Sequence, residues 1–94
     1  MRIKLRFIPK AVADYFGLKE ISSLELRDDA KYRDLVNVLE KKFEEASGIL
    51  GDSDVKAFPE SFIILSNGES VMAKLNEPVK PEEEISVIVM AMGG

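Results

Sequence analysis

Between Arg2 and Phe7 the chain alternates strictly, with Ile3, Leu5 and Phe7 on one parity and Arg2, Lys4 and Arg6 on the other. Successive side chains of an extended strand point to opposite faces, so this run predicts a strand with one apolar and one cationic face. Pro9 ends it. Lys10 to Phe16 then offers about two helical turns with Val12, Tyr15 and Phe16 apolar, and Gly17 is suited to the left-handed position that closes a helix. Ile21, Leu24 and Leu26 suggest a second strand, an antiparallel neighbour of the first, joined to it by the short helical excursion.

The next periodicity is helical. Tyr32, Leu35, Val36, Leu39, Phe43 and Ala46 recur at three- and four-residue steps, which places them on one stripe. Asp28-Asp29 are N-cap candidates that also complement the helix dipole, and the helix is expected to end near Ser47, with Gly48 as terminator. Its other side, Lys31, Asp34, Glu40, Lys41, Glu44 and Glu45, reads as a solvated face. From Ile49 to Ser61 the order breaks down: Gly51-Asp52-Ser53-Asp54 has the composition of a surface turn, and Pro59 blocks a central strand. Phe62–Ser66 and Glu69–Met72 flank Asn67-Gly68, a hairpin signal because both central residues of a type I′ turn need positive φ. Pro78 and Pro81 bracket a turn followed by Glu82-Glu83-Glu84, and Ile85 to Met90 is apolar except at Ser86, as in a strand buried on most sides.

One long helix for a sheet of four or five strands can cover only one face. The economical solution is an α+β domain spanning residues 1–94, in which the Leu35, Leu39 and Phe43 stripe packs on a mixed sheet and the first and last strands lie parallel at its centre. This is the β-grasp, or ubiquitin-like, architecture. A ferredoxin-like fold would need a second long helix, which Ile49 to Ser61 does not offer.

Composition narrows the function. A net charge of −4 argues against a nucleic-acid partner, whose phosphates demand concentrated Lys and Arg. No apolar run approaches the ~18 residues of a membrane span, and the N-terminus builds no signal-peptide core, so a cytoplasmic protein is expected. With no Cys and no His, the usual nucleophile triads and zinc ligand sets are missing. If the chain takes part in chemistry, a partner is expected to supply the catalysis.

Three motifs read as structural. Asp52-Ser53-Asp54 lacks the glycine and terminal Glu of a calcium loop, Gly48-Ile49-Leu50-Gly51 lacks the Lys and hydroxyl of a phosphate loop, and Glu82-Glu83-Glu84 after a proline reads as a solvated turn. The last strand is different. If Ile85, Val87 and Val89 face the helix, then Ile88, Met90 and Met92 face away from it, either as core under a loop or, because one helix leaves that face open, as a partner surface rich in pliable Met. Gly93-Gly94 follows. It is either a frayed tail or processing scar, or a thin thread ending in a carboxylate and able to enter a narrow active site.

From the alternating first strand, through the helix with Leu35 and Leu39, to Ser66-Asn67-Gly68, Pro78-Val79, Glu84-Ile85 and the terminal Gly93-Gly94, the chain resembles the small, sulfur-carrying subunit of molybdopterin synthase and its thiamine-pathway relative. The resemblance spans nearly the whole chain. Its most specific element is the apolar last strand followed directly by Gly-Gly. It implies that the protein is no enzyme by itself and binds no cofactor. Gly94 would be adenylated by an E1-like enzyme that uses ATP, and a sulfur donor protein would convert it to a thiocarboxylate. The thiocarboxylate would deliver sulfur to a pterin precursor on the large synthase subunit. An α-carboxylate with a pKa of about 3.5 is ionised at neutral pH and fit to attack phosphorus. Gly93 would keep the thread slim, since a β-carbon there would crowd a tunnel. The same chemistry also suits a protein modifier joined to lysines, or a sulfur carrier for thiamine or tRNA thiolation.

Overall fold

The computed structural model describes residues 1–50 and 62–89, with side chains on the helix described through Ala46. Strand β1 (Arg2–Ile8) leads into a 3₁₀ helix (Lys10–Phe16), followed by β2 (Ile21–Glu25), helix α1 (Tyr32–Leu50), β3 (Phe62–Ser66), β4 (Glu69–Ser70), a 3₁₀ turn (Val71–Ala73) and β5 (Glu84–Val89). The five strands form one mixed sheet in the order β2-β1-β5-β3-β4. β1 and β5 are parallel at its centre, with Leu5 opposite Ile85 and Phe7 opposite Val87. β2 and β3 run antiparallel to these central strands. This is the expected β-grasp arrangement.

The alternation of β1 is realised in its burial. Ile3, Leu5 and Phe7 are almost wholly buried, whereas Arg2 and Lys4 are exposed. On the same face Ile85 and Val87 from β5 and Phe62 and Ile64 from β3 join Leu35, Leu39 and Phe43 from α1 in one core. Fully burying each such side chain contributes roughly 1.5–3 kcal/mol. Phe16, from the 3₁₀ helix, closes one end, its ring centroid 5.2 Å from Phe7, 5.7 Å from Phe43 and 5.0 Å from Phe62. Gly17 ends that helix at φ 67°, as its glycine suggests, and Leu18 donates its N–H to Ala13 at 3.0 Å.

Four expectations are corrected. Asp28-Asp29 do not cap α1, because tertiary contacts do that work: Tyr32 and Arg33 donate their N–H groups to the carbonyls of Glu77 and Leu75 at 3.0 and 2.9 Å. Asp34 reaches back to accept the Lys31 N–H at 2.8 Å, one half of a capping box. The helix runs through Gly48 to Leu50, since a single glycine lowers helix propensity without stopping a packed helix. Beyond the Asn67-Gly68 turn (φ 53° and 81°) the hairpin pairs only Glu69 and Ser70, because Val71 turns down to complete burial and draws the chain into a 3₁₀ turn. Finally, Glu82-Glu83-Glu84 is not uniformly solvated: Glu83 is buried. Asp52, Ser53, Asp54 and Pro59 lie outside the described residues. Among the described residues, no helix is long and apolar enough to cross a membrane.

Candidate functional site

The face of the sheet turned away from α1 is organised in rows by strand register. Lys4 lies beside Glu84, Arg6 beside Ser86, and Ile8 beside Ile88. On the other side of β5, Ser86 is paired with Leu65 and Ile88 with Ile63. Neighbouring Cα partners share a face, so the outer surface changes character along β5. It is charged where the strand begins and apolar where it ends.

At the charged end Arg6 Nε donates to Glu84 Oε1 at 2.8 Å, and Arg2 Nε to Glu25 Oε1 at 3.0 Å. The bond from Arg6 holds the Glu84 carboxyl below its ordinary range, and the same bond raises Arg6 further. Both pairs are exposed, so solvent screens them and their contribution to stability is small. Arg2, Lys4, Ser23, Glu25 and Glu82 line a shallow groove of about 490 Å³ there. Its cations and carboxylates nearly balance, which gives the groove no strong preference for an anion or a cation. Among the described residues, no group of three or more His, Cys, Asp or Glu side chains is placed to hold a metal ion.

The apolar end has a different build. Ile8, Ile88 and Ile63 form a row across three adjacent strands, with Ile8 41% and Ile63 40% exposed and Ile88 half-buried between them. Beneath the row, on the core side, Phe7 and Phe62 stack with Phe16 and Phe43. Tilted and edge-on ring pairs of this kind add about 0.5–1.5 kcal/mol each beyond the area they bury. The row is therefore an exposed apolar strip on a stiff foundation, the kind of surface that receives another protein.

Of the residues singled out in the sequence, Ile88 emerges on this outer face, in the centre of the row. Met90, Met92, Gly93 and Gly94 lie outside the described residues. Ile8 and Ile63 were not identified from the sequence, since they join Ile88 only through register. A usable signal was available in part: Ile63 alternates with the buried Phe62 and Ile64, which puts it on the opposite face.

The fold matches solved structures over nearly its whole length. The small archaeal modifier protein SAMP1 from Haloferax volcanii is 18% identical, with a TM-score of 0.65 over 100% of both chains. A putative molybdopterin converting factor, subunit 1, from Pyrococcus furiosus is 20% identical, with a TM-score of 0.64 over 95% of this chain and 97% of that one. A ubiquitin-like protein from Caldiarchaeum subterraneum is 14% identical, with a TM-score of 0.52 over 99% of this chain and 100% of that one. At these identities the likeness establishes the fold, a ubiquitin-like β-grasp. No family model and no curated protein matches the sequence.

Proposed function

We propose that this chain is a ubiquitin-like sulfur carrier, activated at Gly94, that donates sulfur in molybdenum or tungsten cofactor synthesis as the small subunit of molybdopterin synthase. The observation that carries the reading is the relation between β5 and the apolar row. The central strand ends at Val89 beside Ile8, Ile88 and Ile63, and Met90-Ala91-Met92-Gly93-Gly94 follows in the sequence. Five residues span at most about 17 Å when extended. A partner docked on the row thus has Gly94 within reach of a recessed active site, while the domain supplies the grip. A neighbour named as subunit 1 of a molybdopterin converting factor supports the assignment.

The chemistry then needs no catalytic side chain from this chain. A carboxylate oxygen of Gly94 attacks the α-phosphorus of ATP in an adenylating enzyme, pyrophosphate leaves, and an acyl adenylate forms. The terminal sulfur of a donor protein's cysteine persulfide attacks the carbonyl carbon and expels AMP, giving an acyl disulfide. A second thiol of the donor attacks the donor's cysteine sulfur, which forms a disulfide on the donor and releases the Gly94 thiocarboxylate. Gly93 lets the thread pass a constriction sized for backbone alone. Met90, Met92 and Ile88 complete the apolar contact with the partner.

The likeness to SAMP1, a modifier by name, favours a second reading in which a lysine amine of a target displaces AMP and an isopeptide bond forms. Incubating the protein with its adenylating enzyme, ATP and a sulfur donor separates the two. Intact-mass measurement should show one oxygen exchanged for sulfur at Gly94, and deleting Gly93-Gly94 should abolish the exchange. A competent enzyme that adenylates the protein without sulfur transfer, together with a ladder of conjugates that the deletion removes, would favour the modifier. Failure of adenylation on a chain whose mass verifies a free Gly94 carboxylate would overturn both.

A further inference from the structure

Three adjacent carboxylates at the entry to β5 have three different surroundings. Glu82 is exposed in a left-handed conformation at φ 62°, its N–H donated to Arg2 O at 3.2 Å. Glu84 lies on the outer face, bonded to Arg6. Glu83 points to the helix side and is only 7% exposed, and both its carboxylate oxygens lie 2.7 Å from the Tyr32 hydroxyl. The Ser66 hydroxyl also donates to it, and its carbonyl accepts the Lys4 N–H at 3.0 Å. Tyr32 and Ser66 are themselves buried. Glu83 therefore joins the first turn of α1, the last residue of β3 and the middle of β1 at the point where β5 starts.

The strand that follows has little else to fix its register. Strand register is ordinarily set by one apolar and one polar face. In β5 and the residues after it, however, Ile85, Val87 and Val89 on one parity and Ile88, Met90 and Met92 on the other are apolar, and after the exposed Arg6–Glu84 pair Ser86 is the one polar residue before Gly93. A slide by two residues moves each side chain by about 7 Å, and in the direction that brings Ile88 to the place of Ser86 it would keep apolar side chains on both faces. It would also dismantle the Glu83 site. In one direction the carboxylate enters the place of Ile85, in the apolar core. In the other, Ile85 faces two buried hydroxyls that have lost their acceptor.

We infer that Glu83 is a positioning residue that, through Tyr32 and Ser66, fixes the register of β5. It thereby sets where Ile88 stands in the outer row and, on the carrier reading, from which point of the sheet the residues after Val89 set out. Only the last consequence rests on the carrier reading. The register itself can be measured without any partner.

The test uses the isotope-labelled full chain, with Glu83→Leu compared with Leu24→Ala, a control core variant in β2, at temperatures equally far below each melting point. The expected result for Glu83→Leu is loss of the Ile8–Ile88 and Ile88–Ile63 cross-strand Overhauser contacts. Amide exchange at Ile85–Ile88 should also accelerate at least tenfold more than exchange in the β1–β2 ladder. In the control, whose substitution lies in the β1–β2 ladder itself, exchange at Ile85–Ile88 should accelerate no more than exchange in that ladder. Glu83→Gln, which keeps an acceptor for one hydroxyl, should restore the native contacts. If Glu83→Leu fails to fold, Tyr32→Phe combined with Ser66→Ala takes its place, with the same β5-selective loosening expected. Exchange in either variant that follows the control, with the cross-strand contacts intact, would overturn the inference. A native register in Glu83→Gln with no sulfur transfer in the wild-type protein would count against the carrier reading alone.

Discussion

Ile8 and Ile88 are register partners across the parallel β1–β5 pair, far apart in sequence, and both lie on the face of the sheet that α1 leaves uncovered. With Ile63 on the far side of Ile88 they make a strip that the domain's own core does not use. Truncating them should therefore separate binding from folding. Ile8→Ser and Ile63→Ser, both at exposed positions, should change stability by less than about 0.5–1 kcal/mol. Loss of an apolar anchor at an interface costs more than about 1–2 kcal/mol, or roughly tenfold or more in affinity. Isothermal titration with the adenylating enzyme, alongside thermal melts, checks the split. Unchanged affinity in the doubly substituted protein would remove the strip from the interface.

Tyr32 predicts an alkaline limb. Burial, and after it the hydrogen bond to Glu83, raise its phenol above the ordinary value, against an opposing bond from Ser66. A group whose folded pKa is raised stabilises the protein fully below its unfolded pKa, about 10 for tyrosine, and that stability is lost as pH rises through the folded value. The melting temperature should fall from about pH 9.5 upward, and Tyr32→Phe should flatten that fall. Lys74 lies 4.7 Å from the Tyr32 ring centroid. Burial, the largest single influence on Lys74, pulls its pKa down, but Tyr32 and Glu69 together raise it, and Tyr32→Phe removes the Tyr32 part of that rise. At neutral pH, Tyr32→Phe should cost about 1–3 kcal/mol, because a buried carboxylate loses one of its donors. Melts across the alkaline range test both statements.

The elements were legible wherever one period dominated. β1 showed its two faces in six residues, the stripe from Tyr32 to Ala46 is the buried side of α1, and Asn67-Gly68 turns where its dihedral preferences require. What the sequence concealed was tertiary. The N-terminus of α1 is satisfied by carbonyls from residues more than 40 positions later in the chain, so local acids such as Asp28 misled. The apolar row needed register, which only Ile88 foreshadowed. Glu83 looked solvated because acidic runs after proline usually are. Yet it shares the parity of Ile85 and Val87, and that phase alone would have directed it inward.

The Arg6–Glu84 pair predicts the opposite limb. Arg6 holds Glu84 below the ordinary carboxylate value of 4.5, chiefly through their hydrogen bond. A depressed folded pKa gives stability that is present above the unfolded value and lost as pH falls through the folded one. Glu84→Gln should therefore leave the protein less sensitive to acid below about pH 4.5 than the wild type. Both side chains are over 40% exposed, so the difference should be small and should shrink with added salt. Melts from neutral to acidic pH at low and high ionic strength measure it. A salt-independent difference would mean that the pair is shielded from solvent.

Gly68 allows backbone strain to be measured apart from packing. It sits at φ 81° in the β3–β4 turn, and a β-carbon built there meets nothing within 4 Å, so Gly68→Ala incurs only the left-handed penalty. That penalty is about 1–2 kcal/mol for an ordinary L-residue, and less for Asn, whose side chain tolerates the region. Gly17, at φ 67°, would place its β-carbon 3.8 Å from Ala46 Cβ, an ordinary contact, so Gly17→Ala should cost a similar amount. Denaturant titration should show both alanine variants losing about 1–2 kcal/mol at unchanged slope, with Gly68→Asn losing less. A loss well beyond this at Gly68 would mean that the turn also sets how Val71 enters the core, since a shifted hairpin register would withdraw a completely buried side chain.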